Sequence, residues 1–368
     1  MKILIVTHYF NPHIGGIEIV ALNEAKELIK KGHQVTIVTS KLSGDQETSL
    51  QNGIIIKRVK AWNFFENKFG IPYPIFSPTL LGTISKEVKK NDFIHVHGAI
   101  YLGSLIASIF SQLYKKPLIT TEHVGIVIYK NSFATNLQKL AFQSIGKLVL
   151  NSSNKVLVLN NSVKQYLSRI TNSPIEFLFN GVDTKLFKPC GNIKKQQLRK
   201  KYNLPLNRKL VLFVGRFVEK KGIDLLLDSK TEQFDLLLVG KGNLPEKANT
   251  IQGLHVFNSL SQKQIAEIYQ LADLFVLPSR NEGFPLSLQE AMASGLTILT
   301  TKENFNSHLN MSTFGRYITL SPVDIKNKIN ELLRNASLLK KLSQEARMSA
   351  VNEFNWTKHS INLLSYFN

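Results

Sequence analysis

The chain alternates short, wholly apolar runs with longer stretches in which apolar residues recur every three or four positions. The apolar runs at Lys2–Thr7, Gln34–Thr39, Ile54–Val59, Asp92–Gly98, Pro117–Thr121, Lys155–Asn160 and Ile175–Phe179 predict strands buried on both faces. A second series at Leu210–Val214, Phe234–Val239, Asp273–Leu277, Leu296–Thr300 and near Arg316–Leu320 predicts the same. Between them lie helical patterns. One runs to about Lys31 with Ile19, Val20, Leu22, Ala25, Leu28 and Ile29 apolar; others cover Ser261–Gln270 and Leu288–Ser294, or begin at Ile223 and Val323. Strand and helix in strict alternation predict α/β architecture with parallel sheets. The segment Lys185–Arg208 is polar, lysine-rich and punctuated by proline, which predicts a connector with a short helix. It divides the chain into residues 1–185 and 186–354, with a last short helix at about 355–368.

Two stretches do not follow the alternation. Ala61–Phe76 carries Trp62, Phe64, Phe65, Phe69, Tyr73 and Phe76 with two prolines and little periodicity, and predicts an aromatic loop. Such a loop either packs on the sheet or presents its rings to a sugar or a lipid. Val124–Leu150 mixes apolar residues with Lys130, Lys139 and Lys147; a covering helix fits it better than a membrane-facing one.

Composition narrows the setting. With 368 residues the chain is too long for one ordinary core and suits two domains. Its 43% hydrophobic and 20% charged content is that of a globular protein. The single cysteine, Cys190, allows no internal disulfide and no cysteine metal cluster. The longest apolar stretch, Ala99–Phe110, falls short of the ~20 residues of a membrane span, and Met1–Val6 is interrupted at once by Thr7-His8-Tyr9. The expected location is therefore the cytoplasm, with attachment to the inner face of the membrane as the variant that charge permits. Net charge is +20, half of it within residues 1–180, so the excess is spread along the chain. Nucleic acid, anionic lipid and phosphorylated substrates all suit such a charge; the absence of any helix-turn-helix, zinc-finger or ribonucleoprotein motif argues against the first.

Chemistry concentrates where predicted strands give way to helices. After Asp273–Leu277 comes Pro278-Ser-Arg-Asn-Glu-Gly-Phe-Pro-Leu-Ser-Leu-Gln-Glu-Ala-Met-Ala-Ser-Gly295. Gly283 and Pro285 shape a turn, the amides of about Leu286 to Leu288 lie at a helix N-terminus suited to phosphate, and Glu282 and Glu290 bracket them. A carboxylate accepts hydrogen bonds from two hydroxyls, as a ribose diol offers. Leu210–Val214 runs into Gly215-Arg-Phe-Val-Glu-Lys-Lys-Gly222, which sets Arg216 and Lys221 at a strand end, two cations suited to a developing diphosphate charge. Gly15-Gly16 opens the first helix and fits either a close approach to a pyrophosphate or a plain tight turn; Gly240-Lys-Gly242 is likewise either a wrap around a base ring or a plain turn. His97 closes one strand, with His95 of the same parity, and Glu122-His123 closes the next.

These segments, in this order, resemble the retaining glycosyltransferases of the GT-B fold, in particular glycosyltransferase family 4. The resemblance rests on Gly15-Gly16-x-Glu18, His97, His123, Asn180-Gly-Val-Asp183, Arg216 with Lys221, and Glu282 with Glu290 seven residues apart. It implies two Rossmann-like domains with parallel sheets facing an interdomain cleft, and a last helix that crosses back onto the first domain. It implies transfer of a sugar, with retention, from a UDP- or GDP-linked donor to a glycan or lipid-linked acceptor in polysaccharide or glycolipid biosynthesis. It also implies roles. Arg216 and Lys221 neutralise the diphosphate, Glu290 holds the ribose, Glu282 contacts the donor sugar and His97 lies near the transferred carbon. Gly15, Gly16, Gly283, Phe284, Pro285, Leu286 and Ser287 line the donor, and Glu122 and His123 the acceptor side. No Asp-x-Asp occurs, so neither metal nor cofactor is expected beyond the nucleotide sugar. One departure stands out: the family's Gly-Gly turn after the strand at Leu296–Thr300 is here Thr301-Lys-Glu-Asn-Phe-Asn, on the sugar side of the donor. A nucleotide-sugar epimerase on the same fold and a non-catalytic basic nucleotide-binding protein are the alternatives. The first needs an extra carboxylate base, the second a broken Arg/Lys or Glu pair.

Overall fold

The computed structural model describes residues 1–13, 15–42, 44–69, 73–126, 132–280, 284–302 and 311–367. The chain forms two compact units, residues 1–180 with 356–368, and residues 181–355.

The first unit contains β1 (Lys2–Val6), α1 (Gly16–Lys30), β2 (Gln34–Lys41), β3 (Thr48–Gln51), β4 (Ile54–Trp62), α2 (Phe64–Phe69), β5 (Ile75–Phe76) and α3 (Thr79–Lys90). It continues through β6 (Phe93–His97), α4 (Leu102–Leu113), β7 (Leu118–Glu122), α5 (Ser132–Ala141), a π-helical turn at Phe142–Gly146, α6 (Lys147–Asn151), β8 (Lys155–Val158), α7 (Asn161–Leu167) and β9 (Ile175–Phe177). The sheet order is β3-β4-β2-β1-β6-β7-β8-β9. Its pairs are parallel except β3 with β4, and β5 with the end of β4. Side chains alternate between the two faces. Leu4, Val6, Ile94 and Val96 join the core that includes Ile84, Val88, Ile106 and Ala107, from α3 and α4. Ile3 and Ile5 face the other way, with Ala21, Ala25 and Leu28 of α1 and with Leu363 and Phe367 near the chain's end. The same alternation turns His95 and His97 toward the α1 side.

One expectation changes here. Ala61–Phe76 is not a loop: the aromatic residues extend β4 to Trp62, form the short helix α2 and return as β5, with Ala61 opposite Phe76 and Trp62 opposite Ile75. Rings on alternate sides of a strand satisfy sheet spacing as well as a loop does, which the lack of periodicity concealed. Residues 70–72, between α2 and β5, lie outside the described residues.

The second unit opens with α8 (Asn192–Lys201), β10 (Lys209–Val214), α9 (Ile223–Asp228), β11 (Phe234–Val239), β12 (Leu254–Phe257) and α10 (Gln262–Leu271). Then come β13 (Leu274–Leu277), α11 (Leu286–Ala293), β14 (Ile298–Thr301), β15 (Gly315–Ile318), α12 (Pro322–Arg334) and α13 (Ala336–Glu353). The sheet is parallel throughout in the order β12-β11-β10-β13-β14-β15. The strand order reverses about β10 and β13, the place where open parallel sheets leave a crevice at their carboxyl ends.

The polar segment Lys185–Arg208 holds the expected short helix, α8, and lies wholly within the second unit. It is built into the second unit through Arg199, buried on α8, whose guanidinium donates to the carbonyls of Leu271, Leu206 and Arg208 and pairs with Asp273 at 2.8 Å. The final helix, α14 (Trp356–Ser365), belongs to the first unit and packs on α1.

Candidate active site

In the second unit, three strand ends converge. Gly215 and Gly240 follow β10 and β11, and a Cβ on Gly240 would lie 1.8 Å from the Gly215 carbonyl oxygen, so the two loops approach as closely as only glycine allows. The Phe217 amide then donates to the Lys241 carbonyl at 2.7 Å. Lys221 lies in a 3₁₀ turn, Glu219–Lys221, ended by Gly222 at φ 70°. A Cβ there would lie 2.1 Å from the Pro278 carbonyl oxygen, and the Arg280 amide donates to Lys220 at 2.8 Å. The Lys221 turn is thereby stitched to the loop that leaves β13 and leads toward α11. Arg216 is exposed, with no side-chain hydrogen bond or ion pair among the described residues.

At the start of α11 the amides of Leu288 and Gln289 already donate to the Pro285 carbonyl. Those of Leu286 and Ser287 have no intrahelical acceptor, as the first turn of any helix dictates. Glu290, one turn further, is partly exposed, yet its carboxyl group lies among protein atoms. Burial pushes it up to about 7, only partly countered by the hydroxyl of Tyr269, on α10. That hydroxyl lies 2.9 Å from the Ser287 carbonyl oxygen and 3.0 Å from Glu290 Oε2. It has one proton for two acceptors. If Glu290 carries a proton, Tyr269 donates to Ser287 and accepts from Glu290, and every group is satisfied. Sequence reasoning missed Tyr269. Phe284, expected against the donor, is instead buried edge-on against Phe354 at 5.0 Å, where it anchors the start of the helix. Glu282 and Gly283, on which the resemblance leaned, lie outside the described residues.

In the first unit, Gly15 caps α1 in extended conformation, and a Cβ on it would lie 2.3 Å from Glu18 Oε2; space around Gly16 is open. Glu18 is buried and engaged: His13 bridges it at 2.6 Å to Glu66 of α2 at 2.8 Å. Hydrogen bonding to Glu18 raises His13 to about 9, against the opposing effect of burial. Gly15 thus closes over a carboxylate, and only Gly16 keeps room for a ligand.

The ends of β6 and β7 carry a set of buried histidines. His97 Nδ1 lies 2.8 Å from His123 Nε2, and His97 Nε2 lies 3.1 Å from Glu24 Oε2. His95 Nδ1 is 3.5 Å from the same oxygen and its Nε2 is 2.8 Å from the Thr121 hydroxyl. His359 of α14 reaches Glu24 Oε1 at 2.8 Å. His97 is 0% exposed, with its ring between His123 and Glu24, while His123, at 6%, is the histidine nearer the surface. The side-chain alternation of β6 points His97 inward to Glu24. Glu122 accepts from the Ala99 amide at 2.8 Å and is pushed up to about 7 by burial, against the pull of backbone amides. It holds the loop after β6 in place. Glu24 and His359 went unnoticed in the sequence. Glu24 was legible: it falls on the buried stripe of α1 with Ala21, Ala25 and Leu28.

Two sequence profiles cover most of the chain. One described as Glycosyltransferase Family 4 matches residues 14–186, and one described as Glycosyl transferases group 1 matches residues 194–349. An uncharacterised glycosyltransferase of Methanocaldococcus jannaschii is 26% identical over 97% of this chain and 95% of its own length. A GDP-mannose:cellobiosyl-diphosphopolyprenol alpha-mannosyltransferase of Xanthomonas campestris is 26% identical over 80% of this chain and 77% of its own. Among solved structures, sucrose-phosphate synthase of Thermosynechococcus elongatus matches with a TM-score of 0.80 at 20% identity, over 100% of this chain and 98% of that one. A UDP complex of Anabaena HepE matches with 0.78 at 16%, over 99% of each chain.

Proposed function

The chain belongs to the GT-B glycosyltransferases of family 4 type, and from that premise we propose that it moves a sugar from a UDP- or GDP-linked donor to a glycan or lipid-linked acceptor, with retention at the anomeric carbon. The observation that carries the donor side is the stitched strand-end loop of the second unit. Arg216 is exposed beside it, and the Lys221 turn is bonded to the loop that leads toward α11. Arg216 and Lys221 offset the charge of the leaving diphosphate, the amides of Leu286 and Ser287 take a phosphate oxygen, and Glu290 receives the ribose hydroxyls. The bond from the anomeric carbon to the phosphate oxygen breaks while a bond to the acceptor oxygen forms on the same face. The acceptor's proton passes to the departing phosphate. No metal is assigned to this step, because two cations supply the neutralisation. HepE has been solved with UDP and with UDP-glucose, and the Xanthomonas relative is named for GDP-mannose, which supports a nucleotide sugar while leaving both bases in view.

The acceptor side is the first unit, around His123, and we place the acceptor at an anionic membrane face. The Xanthomonas relative is named for a diphosphopolyprenol acceptor. Exposed Ile109 and Leu113 of α4, Leu137 and Leu140 of α5 and Leu148 of α6 alternate with exposed Lys115, Lys139 and Lys147. Apolar side chains rimmed by lysines are the composition that lipid interfaces bind. Among the described residues no helix is long and apolar enough to cross a membrane. Mass spectrometry of nucleotide co-purified with the protein, followed by transfer assays with that nucleotide's sugars on polyprenyl-diphosphate acceptors, tests the assignment. Release of free nucleotide without a glycosylated product, or an epimerised donor sugar, would replace it.

A further inference from the structure

We propose that the first unit binds a divalent transition-metal ion, zinc being the one its donors suit best, between Glu24 of α1 and His95 and His97 of β6. The ion is structural, and the inference stands apart from the reading of the donor site.

Three polar atoms carry it. Glu24 Oε2, His95 Nδ1 and His97 Nε2 are buried and have no hydrogen-bond partner among the described residues. All three residues are 0% exposed. A buried polar atom without a partner has lost its water and gained nothing in return, and folded proteins keep few of them. Here three converge, their ligand atoms all within 4.8 Å of one another. His97 Nε2 lies 3.1 Å and His95 Nδ1 3.5 Å from Glu24 Oε2. Zinc binds imidazole nitrogen and carboxylate oxygen at about 2.0–2.2 Å, so neighbouring donors of a tetrahedral site stand roughly 3.3–3.6 Å apart. The two contacts are close to that edge length. Two histidines and a glutamate are also a ligand set that zinc takes, with the fourth position left to water. Imidazole favours zinc and its late first-row neighbours over magnesium or calcium, which take oxygen.

The outer atoms of the same three residues are all engaged. His95 Nε2 lies 2.8 Å from the Thr121 hydroxyl, His97 Nδ1 2.8 Å from His123 Nε2, and Glu24 Oε1 2.8 Å from His359 Nε2. His359 is fixed in turn by the Phe179 carbonyl oxygen, 2.6 Å from its Nδ1. Metal sites are built on this plan: inner atoms bare toward the ion, outer atoms held by partners that set the orientation of each ring and carboxylate. A cluster that existed for its hydrogen bonds alone would close its central contacts, and those are the ones left open. One carboxylate is charge enough, since three neutral histidines hold zinc with none.

The ligands come from α1 and β6 and their partners from β7 and α14. One ion would therefore tie four elements together, the C-terminal helix among them, and would set the ring of His97 and through it that of His123. Ligands at 0% exposure take their ion as the unit folds, so metal binding and folding are coupled. The missing Asp-x-Asp speaks against a metal at the diphosphate, not against one assembled from a helix and a strand far apart in sequence.

The experiment is elemental analysis of the full-length protein, expressed in zinc-supplemented medium and purified without metal-affinity resin. The expected result is one zinc per chain that survives gel filtration, and a thermal midpoint that falls when a strong chelator is present to capture the ion released on unfolding. Cobalt supplied in place of zinc should give the visible absorption of a tetrahedral nitrogen–oxygen site. His95→Ala should lose the stoichiometric ion, and His359→Gln should weaken zinc binding about 10-fold to 100-fold, the scale for loss of an outer partner. Where a variant fails to fold, the wild-type count and its chelator response decide. Folded wild-type protein with no zinc overturns the proposal. So does one zinc per chain retained in full by His95→Ala, which places the ion elsewhere, or a thermal midpoint that chelator leaves unchanged.

Discussion

Nucleotide-sugar affinity should fall as pH drops below about 7, and Glu290 should be the cause. The carboxyl group is raised from its ordinary value near 4.5 to about 7 because burial disfavours its charge. In the unfolded chain it ionises at the ordinary value. Between these two limits the folded state binds a proton that the unfolded state does not, so stability is full below about 4.5 and declines as pH rises through 7. The interval corresponds to roughly 3 kcal/mol at most, at about 1.4 kcal/mol for each tenfold step in acidity. A ribose diol reverses the sign locally. Two hydroxyls donating to the carboxylate favour the ionised form, so binding expels a proton wherever Glu290 is protonated. Below pH 7 affinity should drop about tenfold per pH unit, and above pH 8 it should level off.

Calorimetry from pH 5.5 to 8.5 with UDP-glucose and GDP-mannose, using whichever binds, gives the profile. A nucleotide sugar is the right probe because its doubly esterified diphosphate does not titrate in this range, whereas the terminal phosphate of a free nucleotide does, near 6. Glu290→Gln should bind ~1.5–3 kcal/mol more weakly at pH 8, the scale of a hydrogen bond to a charged group, and should lose the slope. A flat wild-type profile, or a slope that survives in Glu290→Gln, would refute the ribose assignment.

Three further outcomes follow from the structure. Arg216→Ala and Lys221→Ala should each lower turnover by ~10²-fold or more in a coupled nucleotide-release assay, and full activity of the double variant would exclude both from diphosphate neutralisation. Gly222→Ala should cost about 1–3 kcal/mol in thermal or denaturant unfolding, because φ is 70° and the added Cβ would meet the Pro278 carbonyl oxygen at 2.1 Å; an unchanged midpoint would mean the loops are not stitched as described. The protein should sediment with anionic vesicles at low salt and not with neutral ones, and Leu137→Asp with Leu140→Asp should release it; retention in the supernatant at low salt would move the acceptor into solution.

What the sequence disclosed and what it concealed divide along chain separation. Gly215 and Arg216, Gly222 and Pro285 declared a strand end, a turn and a helix start because the glycine or proline that shapes each stands within a few residues of the chemistry. Tyr269 was invisible in this way: it precedes Glu290 by 21 residues, on another helix, and nothing near it in sequence marks it as the carboxyl's partner. His359 and Glu24 are 335 residues apart. The aromatic residues of 61–76 misled for a different reason. Strand, short helix and loop place rings equally well over so few residues, and cross-strand pairing of Trp62 with Ile75 decides among them only once the sheet exists.

The two buried carboxyl groups show why the same residue type does different work in the two units. Glu24 and Glu290 both pay the desolvation cost of burial. Glu24 recovers it within the fold, from His97, His95 and His359, and so remains charged with no nucleotide present. Among the described residues Glu290 has only the Tyr269 hydroxyl, whose single proton is also claimed by the Ser287 carbonyl, and burial leaves it holding a proton near neutral pH. A carboxylate already paired inside the protein gains little from a nucleotide and serves to orient its neighbours. One left short of donors gains the most when a diol arrives, because the ligand supplies two at once. The difference predicts opposite responses to substitution. Glu24→Gln should disturb the histidines while leaving nucleotide affinity intact. Glu290→Gln should weaken nucleotide binding and leave the histidine cluster around Glu24 as it is. Histidine spectra and calorimetry of the same two variants compare them directly, and a crossed result, with Glu24→Gln weakening nucleotide binding, would show that these carboxyl groups do not divide the work in this way.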